Sequence, residues 1–346
     1  MKKTMLKLIA LSALISALAL SGCTKEDSTD VTAPEDTTHV TEENAADASS
    51  ENATEATAED AANEDDVVVY DPDKEDLVFQ EFKVSLFKGY STVDAQAFLK
   101  ANIKYLGIEK ADQAILELEK RLKENQNYYI NQLMDEKVQE AVLTAYDLDN
   151  NTLDMANFKD ETYKKLAQLI LDNGYKFFPE EGLFYPIIDY RGLQAYDKYT
   201  SDEIRSYLDI LARDSDAPTV SDAHLNVVKD ELETRILLAE EHMQKFPEGQ
   251  TFDTIYDAYK MYMQFYTVSM AYMGGFDVET RNISEDLLTS YNDFVTENPN
   301  STSAAIIKEY LEILDENDNK INGDVQDFLQ DFNTVVVKHI SSITTK

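Results

Sequence analysis

Acidic and aromatic side chains that could do chemistry together are concentrated in residues 175–199. Two prolines and two glycines exclude a continuous helix there, while the many aromatic residues require burial. Carboxylates paired in an aromatic cleft are the usual equipment for cleaving a glycosidic bond. We expect an ordered loop packed across neighbouring helices, with a structural strap whose acids face water as the alternative. The candidate ligand-binding residues of this segment are Glu180, Glu181, Tyr185, Asp189, Tyr190 and Arg191.

A second group of aromatic residues lies in the most apolar stretch, residues 251–273. Tyr259, Tyr262 and Tyr266 stand there among phenylalanines and methionines that leave almost no polar face. A helix that is apolar nearly all round is normally buried at the centre of a bundle. The alternative is a wall of tyrosines lining a sugar or peptide groove, because aromatic faces bind such ligands and phenols form hydrogen bonds with them. The three tyrosines therefore join the candidate ligand-binding residues.

Other catalytic and metal-binding patterns are missing from the sequence. The histidines, His39, His224, His242 and His339, are scattered, and no zinc-binding helix, Cys/His cluster or serine-hydrolase elbow occurs. The pair Ser85 and Lys88 matches a four-residue nucleophile pattern, but neither of its companion motifs follows. We assign no catalytic residue and expect neither zinc nor thiol chemistry.

Two acidic stretches, residues 147–151 and 315–319, have the alternating oxygen donors that begin a calcium-binding loop. Thr152 and Lys320 occupy the position that needs glycine, and Phe158 and Gln326 stand where the bidentate glutamate belongs. We interpret both stretches as loops that end helices, and assign no metal site.

The elements around these residues are predicted to be helical. Apolar residues recur three, four or seven apart along most of the chain after Ser91. The predicted helices cover residues 91–105, 111–146, 153–173 and 221–246, and another opens at a Thr200–Glu203 capping box. Residues 77–87 fit either a helix or a strand. The sequence predicts an all-α fold, a multi-helix bundle of tandem helical hairpins.

A faint internal repeat appears at an offset of 52 residues. Ile236, Ala239, Met243, Pro247, Ile255, Tyr259 and Tyr262 correspond to Leu288, Tyr291, Val295, Pro299, Ile307, Leu311 and Leu314. The two units, within residues 235–317, resemble tetratricopeptide-type helical hairpins at their helix–proline–helix junctions. The spacing exceeds the 34 residues of that family and its small-residue signature is missing. The resemblance therefore implies an architecture and no binding residues.

The N-terminus has the pattern of an export signal. Lys2, Lys3 and Lys7 precede an apolar run over residues 8–20, which is too short for a permanent spanning helix. The run closes on Leu20, Ser21, Gly22 and Cys23, which resembles the lipobox of bacterial lipoproteins.

That resemblance implies a diacylglycerol on the Cys23 thiol and cleavage of residues 1–22 ahead of it. The mature protein would be lipid-anchored at the outer, extracytoplasmic face of the cell membrane, with no cofactor besides the covalent lipid. A secretory signal with an incidental cysteine is the alternative. Since Cys23 is the only cysteine, the chain can form no internal disulfide.

Residues 23–66 form a segment of different composition. From position 24 onward it holds fifteen acidic residues against the single basic Lys25, and it has no aromatic residue. Such a chain is too polar and self-repelling to fold, so we predict a disordered acidic tether.

Residues 67–346 have the apolar content of a folded domain, with a possible sub-boundary near 175–200. The whole-chain charge of −36, less +3 for the signal and −14 for the tether, leaves −25 on this domain. A surface of this sign repels nucleic acid and anionic lipid headgroups and attracts cations or basic peptides.

Two classes of function fit this sequence. The first is a non-enzymatic binding or scaffold lipoprotein that holds a protein, peptide or glycan at the cell surface. The second is a carboxylate-dependent hydrolase of cell-wall glycans. Two carboxylates about 5–10 Å apart in an open aromatic groove would favour the enzyme.

Overall fold

The computed structural model describes residue 70 and residues 72–221 and 224–344, most of which lie in helices. The helices are α1 (Pro72–Leu86), α2 (Val93–Asn102), α3 (Ile108–Leu133), α4 (Glu136–Ala145), α5 (Glu161–Asp172), α6 (Tyr190–Leu193), α7 (Asp202–Asp216), α8 (Lys229–Lys245), α9 (Phe252–Gln264), α10 (Met270–Tyr272), α11 (Glu285–Glu297), α12 (Thr302–Glu316), α13 (Gly323–Gln330) and α14 (Phe332–Thr344). The strands are β1 (Tyr146–Asp147), β2 (Thr152–Leu153), β3 (Tyr175–Glu180), β4 (Leu183–Ile188), β5 (Val220–Ser221) and β6 (His224–Leu225). These strands form separate two-stranded antiparallel pairs. The predicted all-α helical bundle is therefore confirmed.

The predictions for the signal segment, Cys23, His39 and the tether fall outside the described residues. The described residues belong to one compact unit. Among them, no helix is both long and apolar enough to cross a membrane.

The core of the bundle is rich in tyrosine. A buried phenol usually finds a hydrogen-bond partner, and several of these hydroxyl groups donate to the backbone of another element. Tyr175 donates to the Leu122 carbonyl at 2.6 Å, and Tyr291 donates to the Tyr266 carbonyl at 2.9 Å. These hydroxyl groups tie separate elements together.

Carboxylates from one helix accept hydrogen bonds from the N-terminus of a later helix at several junctions. These acids pair with backbone N–H groups that have no partner within the helix, and they complement the positive end of the helix dipole. The pairs are Glu75 with Gly107 N at 2.8 Å, Asp112 with Ser201 N at 2.9 Å, Glu203 with Thr251 N at 3.0 Å, and Glu240 with Ser303 N at 2.8 Å. Part of the acidity of the domain therefore serves its own architecture.

The predicted capping box at Thr200 is not formed. Ser201 is the N-cap of α7 and accepts a hydrogen bond from the backbone N–H of Ile204. The Glu203 side chain bonds to Thr251 instead. A tertiary contact thus replaces the local one that the sequence pattern suggested.

The single helix predicted over residues 111–146 is divided in two. It is interrupted at Met134 and Asp135, and the Asp135 carboxylate caps α4 by accepting from the N–H groups of Lys137 and Val138. The prediction failed because the apolar residues keep their helical spacing across the break. A single N-cap residue, here Asp135, is enough to start a new helix.

The segment predicted as an ordered loop forms a β-hairpin followed by short helical turns. Glu181 and Gly182 make its two-residue turn with φ values of +50° and +79°. Pro179 pairs with Phe184, and Pro186 pairs with Phe177. Both are non-hydrogen-bonded pairs of the antiparallel ladder, so the ladder needs no N–H group from either proline. The Phe184 N–H instead donates to Gln139 Oε1 at 2.7 Å.

The helix predicted over residues 221–246 begins later, at Lys229, because Val220–Ser221 and His224–Leu225 form the short β5–β6 pair. The two helix–proline–helix units of the internal repeat correspond to α8 with α9 and α11 with α12. Residues 251–273 are helical but include a π-helical turn, Phe265–Ser269.

Candidate functional site

A polar cleft of about 710 Å³ lies beside the β3–β4 hairpin, and we call it the hairpin cleft. It lies where the hairpin, α6, the end of α7 and the β1–β2 turn meet. Its lining residues are Tyr146, Asn150, Asn151, Lys176, Phe177, Phe178, Ile187, Asp189, Arg191, Gly192, Ser215 and Asp216. Aromatic rings and polar groups of both charges thus face one open space, a composition that suits a polar ligand with apolar faces.

Asp216 is the centre of the charged side of this cleft. Lys176 Nζ lies 2.6 Å from its Oδ1, and Arg191 donates to its Oδ2 from Nη2 at 2.7 Å and Nε at 3.0 Å. Burial alone would raise the pKa of Asp216, but the bonds and charges of Lys176 and Arg191 outweigh it and hold that pKa below its ordinary value. Asp216 is therefore ionised at neutral pH.

Two residues predicted for ligand binding, Asp189 and Arg191, line the hairpin cleft. Asp189 is also the N-cap of α6, where its Oδ1 accepts from the Gly192 N–H at 3.2 Å. Tyr190 is buried, and its hydroxyl donates to Glu119 Oε1 at 2.7 Å. Burial and the Glu119 charge raise the pKa of Tyr190 well above its usual value. This tyrosine positions its neighbours from inside the core.

The other predicted residues of this segment lie away from the lining of the cleft. Glu180 and Glu181 stand at the hairpin turn, and Tyr185 is a half-buried residue of β4. The prediction treated the whole segment as one loop, whereas the hairpin carries Glu180 and Glu181 to its turn, away from the cleft beside its other end.

Tyr259, Tyr262 and Tyr266 are completely buried in the core. Tyr259 contacts Ser303 Oγ at 2.9 Å, and Tyr266 donates to Glu233 Oε1 at 2.7 Å. Burial raises the pKa of all three hydroxyl groups. These tyrosines thus lie in the core of the bundle, the first of the two interpretations of this stretch. None of the three lines the hairpin cleft.

A second cavity, of about 590 Å³, lies between the start of α8, α10 and α11, and we call it the methionine pocket. Its lining residues are Leu225, Lys229, Met270, Met273, Gly275, Ser284, Asp286, Leu287, Thr289, Ser290 and Asp293. Sequence reasoning missed this site because it assigned Met270 and Met273 to the buried stretch. The signal was the Gly274–Gly275 pair directly after Met273, which ends the helix there with φ of +105° at Gly274.

The two acidic stretches interpreted as loops each run from the end of a strand or helix into a tight turn, residues 148–151 and 317–319. The Asp147 carboxylate accepts from the Asn150 side chain at 2.7 Å and from the Asp149 N–H at 3.0 Å, so it serves its own turn. Within residues 72–221 and 224–344, no group of three or more His, Cys, Asp or Glu side chains is arranged to hold a metal ion.

Comparison with known proteins adds no identification. No family model, curated protein or solved structure matches this chain.

Proposed function

We propose that this chain is a membrane-anchored extracytoplasmic lipoprotein whose helical domain is a non-enzymatic binding module for a glycan or peptide at the cell surface. The anchor rests on the lipobox-like residues that end at Cys23. Two or three acyl chains on one cysteine satisfy the requirement of more than one lipid signal for stable anchoring.

The observation that carries the binding role is the hairpin cleft. It is open, lies next to aromatic side chains and presents Lys176, Arg191 and Asp216 in a fixed arrangement supported by three elements. Guanidinium and carboxylate groups held in place in this way orient hydroxyl, amide or carboxylate groups of a ligand.

The alternative function is a carboxylate-dependent hydrolase of cell-wall glycans, and its support is that Asp189 and Asp216 line the same cleft. A glycosidase needs one protonated carboxyl group as general acid, usually with a raised pKa. The pKa of Asp216 is lowered, and the Asp189 carboxylate is occupied at the start of α6. This chemistry favours binding over hydrolysis.

Soluble peptidoglycan fragments, with and without their peptides, provide the test. The full chain in detergent should bind them by calorimetry, and Arg191→Gln should weaken binding about tenfold, since hydrogen bonds to charged groups are lost. The matched control is Arg121→Gln, because Arg121 pairs with Glu124 and does not line the cleft.

Mass spectrometry of the fragments after incubation separates the two functions. Unchanged fragment masses with Arg191-dependent binding support the binding module. New cleavage products would establish the hydrolase instead, and a wild-type chain that binds no fragment would contradict the proposed ligand class.

A further inference from the structure

The methionine pocket has an apolar floor and a partly solvent-exposed apolar side chain at its edge. Leu225, Met270 and Leu287 line it, and Met273 is 50% exposed at its edge. Covering exposed apolar surface around a cavity is favourable. Methionine side chains also adapt to ligands of different shape. The pocket therefore suits an apolar side chain supplied from outside.

Close packing of the backbone contributes to the shape of this cavity. A Cβ atom added to Gly275 would lie 2.4 Å from the Met270 carbonyl oxygen and 2.5 Å from the Leu287 side chain. Only glycine allows this approach, which joins α10 to the start of α11. The pocket wall is thus a built feature of the fold.

The charges at the rim are unbalanced. Lys229 Nζ lies 3.6 Å from both Asp230 Oδ1 and Glu233 Oε1, so the one cation that the described residues give to the lining is already matched. The carboxylates of Asp286 and Asp293 are exposed and make no hydrogen bond or ion pair within the described ranges of the chain. Two carboxylates at the rim are therefore available to cations.

The spacing of these two acids defines what could pair with them. They lie seven residues apart on α11, which is two turns or roughly 10 Å along the helix. An extended peptide rises about 3.3 Å per residue, so basic residues three positions apart span the same distance.

We propose that the methionine pocket binds a cationic peptide segment, with one apolar side chain in the pocket and a Lys or Arg on either side paired with Asp286 and Asp293. The occupant is not the chain's own acidic segment or a second copy, because residues 24–66 carry −14 and residues 67–346 carry −25. This site is separate from the hairpin cleft, so the test of one does not decide the other.

The probe is a synthetic peptide, acetylated and amidated, with the sequence Gly-Lys-Phe-Gly-Lys-Gly. Phenylalanine is chosen because its ring makes favourable contacts with methionine sulfur. The chain, labelled with carbon-13 at its methionine methyl groups, is titrated by NMR in detergent. The signals of Met270 and Met273 should shift, and that of Met134 should not.

Peptide variants separate the two parts of the proposal. Replacing Phe by Gly should weaken binding roughly tenfold or more, because the burial of an aromatic side chain is lost. Replacing both Lys by Glu should abolish measurable binding. Raising the salt from about 0.05 M to about 0.5 M should weaken binding of the original peptide severalfold.

Protein variants place the binding at the pocket. Met273→Lys adds a positive charge that repels the cationic peptide, so it should abolish binding. Met134→Lys, at a comparably exposed methionine, should not. The double variant Asp286→Asn with Asp293→Asn should weaken binding about threefold to tenfold at low salt.

The matched control for that double variant is Asp324→Asn with Asp331→Asn. These two exposed acids are also seven residues apart, and their substitution removes the same charge elsewhere on the domain. Equal affinity of the wild type and Met273→Lys, or an equal loss in the two aspartate double variants, would overturn the proposal. So would equal binding of the peptide that lacks Phe.

Discussion

A chain of four polar side chains joins α7, α8 and the start of α9 through His242. Thr251 Oγ1 donates to Glu203 at 2.8 Å, so it accepts from His242 Nε2 at 2.9 Å. His242 Nδ1 then carries no proton and accepts from Ser206 Oγ at 3.0 Å. The imidazole is fully used by its neighbours in the neutral form.

Burial lowers the pKa of His242 from 6.5 to about 4, although the charge of Glu203 acts in the opposite direction. The unfolded chain therefore binds more protons than the folded chain between these two values. The stability that His242 contributes is present above about pH 6.5 and is lost as the pH falls through 4.

We predict that His242→Gln reduces the acid sensitivity of the fold. The free energy of unfolding of the wild type should fall by on the order of 2 kcal/mol more than that of the variant between pH 7 and pH 4. Glutamine keeps one donor and one acceptor at this position. Urea unfolding at both pH values measures the difference.

His339→Gln is the control for this prediction, since His339 is only half-buried and lies 2.9 Å from Glu309. Identical pH dependence in the wild type and His242→Gln would contradict the role assigned to the neutral imidazole.

At the scale of the elements, helix N-termini capped by remote carboxylates connect one helical pair to the next. Glu240 of α8 is the most complete example, because it accepts from the backbone N–H of Thr302 and Ser303 and from the hydroxyl of Ser301 at the start of α12. Its side chain is buried at 3% exposure. Packing of α12 on α8 therefore depends on a charged hydrogen-bond acceptor.

We predict that Glu240→Gln lowers the free energy of unfolding by about 2 kcal/mol, because bonds to a charged acceptor are lost and an amide N–H faces other donors. The neighbouring Glu241→Gln removes an exposed pair with Lys245 and should cost less than about 0.5 kcal/mol. Chemical denaturation of both variants is the measurement. Equal effects of the two substitutions would mean that Glu240 does not cap α12.

Local signals were enough to predict some elements and not others. The end of α5 was predictable because a glycine after a helical stretch is a common stop signal. Gly174 adopts the positive φ, +85°, that this signal implies. The β3–β4 hairpin was not, because prolines normally argue against strands and their harmless position depends on the register of pairing.

The same distinction applies to the candidate site. Asp189 and Arg191 could be found because they share one local segment. Lys176 and Asp216 could not, since they are 40 residues apart and meet only through the tertiary packing of β3 against the end of α7.

At the scale of the whole molecule, the acidic segment and the domain carry charge of the same sign, −14 on residues 24–66 and −25 on residues 67–346. The segment also has no aromatic residue that could dock on a surface. We predict that removing it leaves the stability of the domain nearly unchanged.

Thermal melts of residues 24–346 and 67–346 at moderate salt compare the two directly. Their melting temperatures should agree to within a few degrees. A drop of more than about 5 °C in the shorter chain would mean that the acidic segment is part of the fold.

The central claim, that a lipid on Cys23 holds the mature chain at the membrane, is tested most directly by the intact mass of the membrane-extracted protein. The wild type should begin at Cys23, carry the mass of a diacylglycerol with or without a further acyl chain, and fractionate with membranes. Cys23→Ser should keep its signal residues, carry no lipid mass and fail to be processed. A wild-type protein without lipid mass, or a Cys23→Ser variant with the same mature N-terminus and the same membrane retention, would contradict the account.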